Sequence, residues 1–268
     1  MQAAGYPLRA SVVALGLGLA AGFAVAQAPA PPQAGLSLAF TLGPAWNSNP
    51  LELPGRRKGD GYFGLETNAT YRWVLWEGGA LALSGIGYSE QFFRESSAGL
   101  NRLGTSMTFS QRWQGTIFTL GIGARTATNQ ALTRHDSASQ DVTLGISRSF
   151  TLMPDVSLTL SSGASRRFFQ DGSEDQVRAR AGATLARKWG QWTFSLGAGF
   201  SYTLEDKTPI LPRINDRAIS ASVSASYEWA KDRDISAKLS YSRTYSSLPL
   251  DRFKVFSFAP QIAATFRF

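Results

Sequence analysis

The last stretch of the chain, residues 253–268, has the side-chain period of a β-strand. From Phe256 onward every second residue is apolar: Phe256, Phe258, Pro260, Ile262, Ala264, Phe266 and Phe268. The residues between them are small or polar, so the strand has one apolar face and one polar face. Pro260 has no N–H to donate to a sheet ladder, and it therefore predicts a local β-bulge in this strand.

The same alternation recurs along nearly the whole chain. About twelve segments show it, each of roughly 10 to 14 residues, a length that suits strands tilted across a bilayer. They span 36–46, 62–75, 80–92, 103–113, 116–128, 141–152, 156–168, 176–189, 192–205, 217–229, 235–246 and 253–268. The third segment is irregular because Leu81 and Leu83 alternate out of phase with Ile86 and Tyr88, which predicts a bulge near Gly85.

The connections between these segments alternate between long and short. The long ones span 47–61, 93–102, 129–140, 170–175, 206–216 and 247–252, and the short ones 76–79, 114–115, 153–155, 190–191 and 231–234. Transmembrane barrels have short periplasmic turns and longer external loops. An even number of strands with this alternation places both termini at the end that carries the short turns.

Tryptophan marks the short turns. Five of the 7 tryptophans lie beside them: Trp76, Trp113, Trp189, Trp192 and Trp229. Indole rings favour a membrane interface, where the ring is apolar and the N–H is solvated, so these residues predict an aromatic girdle. A second girdle at the long loops would comprise Tyr62, Phe92, Phe93, Phe168, Phe169, Tyr202 and Tyr245.

These patterns together predict an all-β fold, a transmembrane antiparallel up-and-down β-barrel of about twelve strands over residues 36–268. The alternative is a soluble β-sandwich. A sandwich of this size would need a second apolar face to cover the first, and it would leave open sheet edges that a closed barrel removes.

The N-terminal residues have the features of an export signal. Arg9 precedes an apolar run over 12–25, and Ala24-Val25-Ala26 supplies a small-x-small cleavage pattern, which predicts a cleaved signal peptide over 1–26. Residues 27–35 then form a Pro/Ala-rich linker. Export of a chain with no cysteine fits the bacterial envelope, where disulfides are optional.

The C-terminal strand, which ends on Phe268, resembles the closing strand of Gram-negative outer-membrane β-barrel proteins of the porin-like type. The resemblance implies a bacterial outer-membrane location with periplasmic termini and contacts with outer-membrane lipid and lipopolysaccharide. It also implies that the terminal phenylalanine is part of the signal read by the barrel-insertion machinery. The sequence does not identify a family within this class.

The inward face follows from the same alternation and is mostly small and polar. The ninth segment, for example, presents Thr193, Ser195, Gly197, Gly199, Ser201 and Thr203. A barrel that is only a packed plug would fill its interior with large side chains. The small lining therefore favours a narrow aqueous pore.

Four inward arginines form a candidate substrate-binding ladder toward the long-loop half: Arg125, Arg167, Arg178 and Arg180. Guanidinium groups bind carboxylates and phosphates, and rings of positive side chains select anions. The arrangement is similar in architecture to twelve-stranded monomeric channels for acidic oligosaccharides. The alternative is that these arginines pair with lumen acids or with the loop carboxylates Asp171, Glu174 and Asp175.

The sequence offers little for catalysis. His135 is the only histidine, and with Ser137 it resembles the His-x-Ser-Asn-Gly motif of an outer-membrane phospholipase family, but Ala138 and Ser139 replace the Asn and Gly. The segment also falls in a predicted loop. Without cysteine or paired histidines there is no metal cluster, and no nucleic-acid motif is present. We therefore predict a protein that is not an enzyme and that has no cofactor and no nucleic-acid partner.

Two functions remain open. The first is passive diffusion of small hydrophilic, preferentially anionic, solutes, which the net charge of +8 favours. The second is a non-catalytic barrel in a surface polysaccharide or protein export system, because Trp46-Asn47-Ser48-Asn49-Pro50 resembles a segment of such barrels. The basic loop Arg56-Arg57-Lys58 is a candidate contact for lipopolysaccharide phosphates or for a protein partner.

Overall fold

Twelve β-strands account for almost all of the described chain. The structure is a computed structural model and describes residues 34–52, 58–133, 135–170, 175–206, 214–248 and 252–268. The strands are β1 Gly35–Asn47, β2 Asp60–Trp76, β3 Gly79–Phe92, β4 Leu100–Trp113, β5 Thr116–Asn129, β6 His135–Met153, β7 Val156–Phe169, β8 Gln176–Trp189, β9 Trp192–Glu205, β10 Ile214–Ala230, β11 Arg233–Ser246 and β12 Lys254–Arg267. The predicted signal peptide and residues 27–33 of the linker lie outside the described residues.

The strands form one closed antiparallel barrel in which each strand pairs with its sequence neighbours. The barrel closes between β1 and β12, where the N–H of Phe268 donates to the carbonyl of Leu36 (2.9 Å) and the N–H of Leu36 donates to the carbonyl of Phe268 (3.3 Å). This confirms the predicted fold, strand number and closing pair. The first residue of β1 and the last residue of β12 lie on the same side of the barrel as the short turns. We call this side the short-turn end and the opposite side the long-loop end.

Most large apolar side chains point outward, around the whole wall. Leu38–Phe266 and Leu42–Ile262 are cross-strand pairs, and cross-strand partners share a face. Leu42, Phe258 and Leu196 expose 40%, 45% and 55% of their surface, and no large side chain among the described residues is fully buried. The barrel therefore has an apolar belt on its outside, which a bilayer covers.

The five turn-side tryptophans lie at strand ends. Trp76 and Trp113 end β2 and β4, and Trp189 and Trp192 flank the β8–β9 turn. Trp189 exposes 73% of its surface, as expected for a girdle at a membrane interface. Within the described ranges, no helix is long and apolar enough to span a membrane.

The predicted bulge at Pro260 is wrong. The pairs Leu42–Ile262 and Trp46–Phe258 have the same register, so no residue is inserted between them. This register places Pro44 opposite Pro260, at a position where the partners would exchange two N–H···O=C bonds. Both prolines lack the N–H, so the two absent donors belong to a single pair of the β1–β12 ladder. The β1–β2 and β11–β12 ladders continue past this position.

The predicted bulge near Gly85 is also wrong. The β2–β3 register is regular from Tyr62–Phe92 to Val74–Ala80, and it shifts only at the adjoining turn. Leu81 and Leu83 therefore face outward, while Ile86 and Tyr88 face the lumen. The alternation appeared to break because the lumen itself contains large side chains at this point.

The third difference is at β6, which begins at His135 and so includes residues predicted as loop. A register shift between Ala127 and Thr128 accommodates the extension. Three residues of the predicted girdle at the long loops face inward instead. Phe169 is the cross-strand partner of Ser139 and shares the face of Arg167. Tyr62 and Phe92 lie against each other, with ring centroids 4.7 Å apart and only 7% and 5% of their surface exposed.

Candidate functional site

The four sequence-predicted arginines all point into the lumen. Arg125 lies on β5, Arg167 on β7, and Arg178 and Arg180 on β8. Their cross-strand partners are mostly small, for example Gly104 and Ser139 beside Arg125. Small neighbours leave space for long side chains to extend into the barrel. Arg167 lies within electrostatic range of Arg125 and Arg178, and Arg178 within that of Arg180.

One of these arginines is neutralised by a carboxylate. Both Nε and Nη2 of Arg125 donate to Oδ1 of Asp141, at 3.1 Å and 2.5 Å. Asp141 is nearly buried and is the cross-strand partner of Arg167. Two charge-assisted hydrogen bonds to one carboxylate oxygen hold both side chains against the wall. The alternative of pairing with lumen acids therefore holds for Arg125.

The other three arginines differ in how they are compensated. Nε of Arg178 donates to Oγ1 of Thr203 (3.0 Å), and Glu205 and Asp216 lie within electrostatic range of it. Nε of Arg167 is buried and has no hydrogen-bond partner among the described residues. Arg180 is exposed, and no described carboxylate lies within ion-pair distance of it. Arg167 and Arg180 therefore make no ion pair among the described residues, although Asp141 lies within electrostatic range of Arg167.

Sequence reasoning missed two members of this site, Arg102 and Asp141. Arg102 falls in the predicted loop 93–102, but it is the third residue of β4 and faces Tyr88 across the β3–β4 ladder. Its guanidinium lies 5.8 Å from the centroid of that ring. Arg102 alternates in phase with the inward Gly104, which could have revealed it. We name Arg102, Arg125, Arg167, Arg178 and Arg180 the arginine arc.

The lumen is most tightly packed at the long-loop end, next to the arginine arc. The buried inward side chains there come from many strands: Asp60, Tyr62, Phe92, Leu100, Thr203, Glu205, Ile214, Thr244 and Ser246. Tyr88 donates its hydroxyl hydrogen bond to Glu90 on the same wall. The arc therefore borders the section of the lumen where most of the buried inward side chains lie.

Part of the β1–β2 loop packs into this mouth. The N–H of Glu52 donates to the carbonyl of Asn49 (3.0 Å), and Glu52 has a left-handed φ of 52°, which together make a tight turn. Oε2 of Glu52 is buried without a hydrogen-bond partner. Burial, and secondarily the charge of Glu90, raise the pKa of the Glu52 carboxyl well above its usual range.

The Glu52 carboxyl makes the barrel's stability depend on pH. Because its pKa is raised in the folded state, the folded state retains a proton that the unfolded state loses, and stability falls as the pH rises above the ordinary glutamate pKa. We expect Glu52→Gln to raise the thermal midpoint at pH 8, by about 2–4 °C for each kcal/mol relieved, and to have little effect at pH 4.

Thermal unfolding of the folded protein in detergent, followed by circular dichroism at the two pH values, measures this. The matched control is Glu77→Gln, which changes an exposed glutamate of the β2–β3 turn. An equal gain at pH 4 and pH 8 would contradict the assignment of the effect to carboxyl ionisation.

His135 and Ser137 do not form a catalytic pair. The register shift in β6 places His135 beside Thr128 on the outer face and Ser137 beside Ala127 on the inner face. Nε2 of His135 is 2.9 Å from Oγ1 of Thr126. The side chain of Asp136 lies outside the described residues. Across the described part of the chain, no group of three or more His, Asp and Glu is placed to hold a metal ion.

The Trp46–Pro50 segment has a structural role at the barrel seam. The N–H of Ser48 donates to the carbonyl of Phe256 (2.9 Å), and the N–H of Phe256 donates to Oγ of Ser48 (2.8 Å). The N–H of Asn49 donates to Oδ1 of Asn47 (2.8 Å), which closes a turn. These contacts continue the β1–β12 ladder by one step and then turn the chain over the mouth.

Comparison with solved structures identifies the type of barrel. An outer-membrane channel from Pseudomonas putida F1 superposes with a TM-score of 0.58 at 10% identity, covering 88% of this chain and 97% of that one. The chain has the fold of a bacterial outer-membrane β-barrel. No protein-family model and no curated protein matches the sequence.

Two further barrels superpose over most of their length. A bacterial polysaccharide outer-membrane secretin has a TM-score of 0.50 at 10% identity, with 88% of this chain and 98% of that one covered. LpxR from Salmonella typhimurium also has a TM-score of 0.50 at 10% identity, with 86% and 100% covered. At these identities the likeness is one of fold alone.

Proposed function

We propose that the barrel is a non-enzymatic outer-membrane channel for passive diffusion of small hydrophilic solutes, with a preference for anions. The observation that carries the proposal is the arginine arc in a lumen whose β9 and β10 walls are lined by small polar residues. Within it, Arg167 and Arg180 have no ion-pair partner among the described residues. Guanidinium groups that are not ion-paired and that face the lumen favour a passing anion over a cation.

The lining supports this proposal. The inward faces of β9 and β10 pair Gly199 with Ser220, Gly197 with Ser222, and Ser195 with Ser224. Hydroxyl and glycine positions bind no solute tightly but replace part of its hydration, which suits diffusion. Lys238, opposite Ser224, adds one more positive charge to this wall. The outer-membrane channel from Pseudomonas putida F1 provides a precedent for the architecture only.

The test is conductance of the purified full chain in a planar lipid bilayer with a KCl gradient. We expect discrete channels whose reversal potential gives a chloride-over-potassium permeability ratio above one. Absence of conductance, or a preference for potassium, would contradict the proposal. A folded barrel without conductance would favour the alternative function in an export system, where a partner protein would complete the export pathway.

A further inference from the structure

The inner and outer faces of the barrel wall differ in the charged side chains that they carry. Every strand Asp or Glu whose side chain is described faces the lumen: Asp60, Glu66, Glu90, Asp141, Glu205, Asp216, Glu228 and Asp234. The outward charged positions on the described strands are all basic: Arg148, Arg166, Arg187, Arg217, Arg233, Arg243 and Lys254. The outer wall therefore lacks strand carboxylates to neutralise its cations.

Three of these cations form one patch at the long-loop end, on β10, β11 and β12. Arg243 is the direct cross-strand partner of Lys254, and Arg217 is the partner of Tyr245 on the same face. We name Arg217, Arg243 and Lys254 the outer cationic patch. Ion pairs involving any of the three are absent among the described residues.

The Arg243–Lys254 pair is unfavourable by itself. Like charges directly opposite each other on adjacent strands destabilise a sheet. The strand carboxylate nearest along the chain, Asp216, precedes Arg217 and points to the lumen. An anion from outside the protein would relieve the repulsion and bridge the two strands.

Aromatic rings place the patch at an interface. The guanidinium of Arg243 lies 4.4 Å from the ring centroid of Tyr245, and that of Arg217 lies 5.9 Å from the ring centroid of Tyr202. Tyr245 is 40% exposed on the outer face, as expected of a ring in a membrane girdle. Stacked guanidinium groups are held in a fixed orientation, and their remaining N–H groups are free to bind oxygen anions.

We propose that the outer cationic patch binds the phosphate group of a membrane lipid in the leaflet at the long-loop end. At the level of an interfacial aromatic girdle, the abundant anion is a lipid phosphate, and basic residues at such a surface attract anionic headgroups. The two arginines supply planar donors for phosphate oxygens, and Lys254 supplies a third positive charge. This site faces the bilayer and is separate from the arginine arc, so it does not depend on the channel proposal.

The experiment uses the folded full chain in a neutral detergent, with phosphatidic acid as the probe. Native mass spectrometry measures the apparent Kd for the parent and for Arg243→Gln/Lys254→Gln. Each basic residue near a bilayer surface contributes about fivefold in affinity, so the double variant is expected to bind phosphatidic acid roughly tenfold or more weakly. The matched control is Arg148→Gln/Arg187→Gln, whose outward arginines are not cross-strand partners of another cation; we expect less than about a twofold change.

Two further ligands test the source of the phosphate. Diacylglycerol with the same acyl chains lacks the phosphate and is expected to bind much more weakly, and inorganic phosphate at equal concentration is expected not to compete. Equal affinity of parent and double variant for phosphatidic acid would overturn the proposal. Competition by inorganic phosphate, or equal binding of diacylglycerol, would overturn it as well.

A stability measurement keeps the proposal testable if lipid retention is weak. Without anionic lipid, Arg243→Gln is expected to raise the thermal midpoint, because it removes the repulsion with Lys254. With phosphatidic acid present, the parent is expected to gain more than the variant. A parent that gains no more than the variant would overturn the lipid site.

Discussion

Replacing Arg167 and Arg180 together with glutamine is expected to lower the chloride-over-potassium permeability ratio by about tenfold. One charge about 8 Å from an ion changes its energy by roughly 1–2 kcal/mol at an effective dielectric constant of about 20–40, a factor of about 6 to 30. Salt in the pore reduces this, so tenfold for two charges is a moderate expectation. Reversal potentials in a KCl gradient measure the ratio.

The same strands provide the control. Arg166 on β7 and Arg187 on β8 point outward, so Arg166→Gln/Arg187→Gln removes the same charge from the opposite face. We expect its permeability ratio to stay within about twofold of the parent, because the wall and the bilayer separate these charges from the lumen. A similar loss in both variants would indicate a net-charge effect and would remove the arginine arc from the explanation.

Substitution of Asp141 is expected to raise the chloride-over-potassium permeability ratio. Asp141→Asn removes the negative charge that neutralises the Arg125 guanidinium and should raise the preference for chloride. Loss of a partly buried pair also lowers stability, so the thermal midpoint is measured in parallel. A lower chloride preference in a folded Asp141→Asn barrel would contradict the electrostatic account.

The second large effect is expected at the barrel seam. Gly43→Val should lower the thermal midpoint by more than 10 °C or prevent folding. A Cβ at Gly43 would clash with the carbonyl oxygen of Pro260 and lie 3.0 Å from the Cα of Gln261. These are backbone atoms of β12, so the strand itself must move. Each backbone group that loses its partner within a membrane costs several kcal/mol, and about 2–4 °C accompanies each kcal/mol in a protein of this size.

Gly85→Ala is the matched control for this prediction. Gly85 also lies within a strand, but a Cβ there has no neighbour within 4 Å. Folding of both variants into detergent, followed by thermal melts, gives the comparison. Equal midpoints for Gly43→Val and the parent would show that β12 can shift without cost. Pro260→Ala provides a converse test, since it restores one N–H opposite Pro44 and should stabilise the seam by about 1 kcal/mol.

The sequence patterns gave wrong predictions where the answer depends on the neighbouring strand or on the other residues that line the lumen. The sequence showed that Pro260 lacks a donor, but only the register revealed Pro44 opposite it, which makes a bulge unnecessary. In β3, the hydrophobic pattern is the same whether a bulge shifts the alternation or Ile86 simply faces the lumen, so only the register distinguishes the two. In the candidate site, the predicted strand begins three residues after the start of β4 at Leu100 and so excludes Arg102, although Arg102 alternates in phase with Gly104.

The sequence by itself determined the number of strands, their antiparallel order and the face that meets lipid, because a period of two repeated along the chain is a local property that each strand carries independently. The tertiary structure alone decided how charges across strands combine. It paired Arg125 with Asp141, left Arg167 and Arg180 without ion-pair partners in the described chain, and placed Arg243 against Lys254 on the outside. Such pairings depend on strand register, and register is set by hydrogen bonding between strands that no single segment encodes.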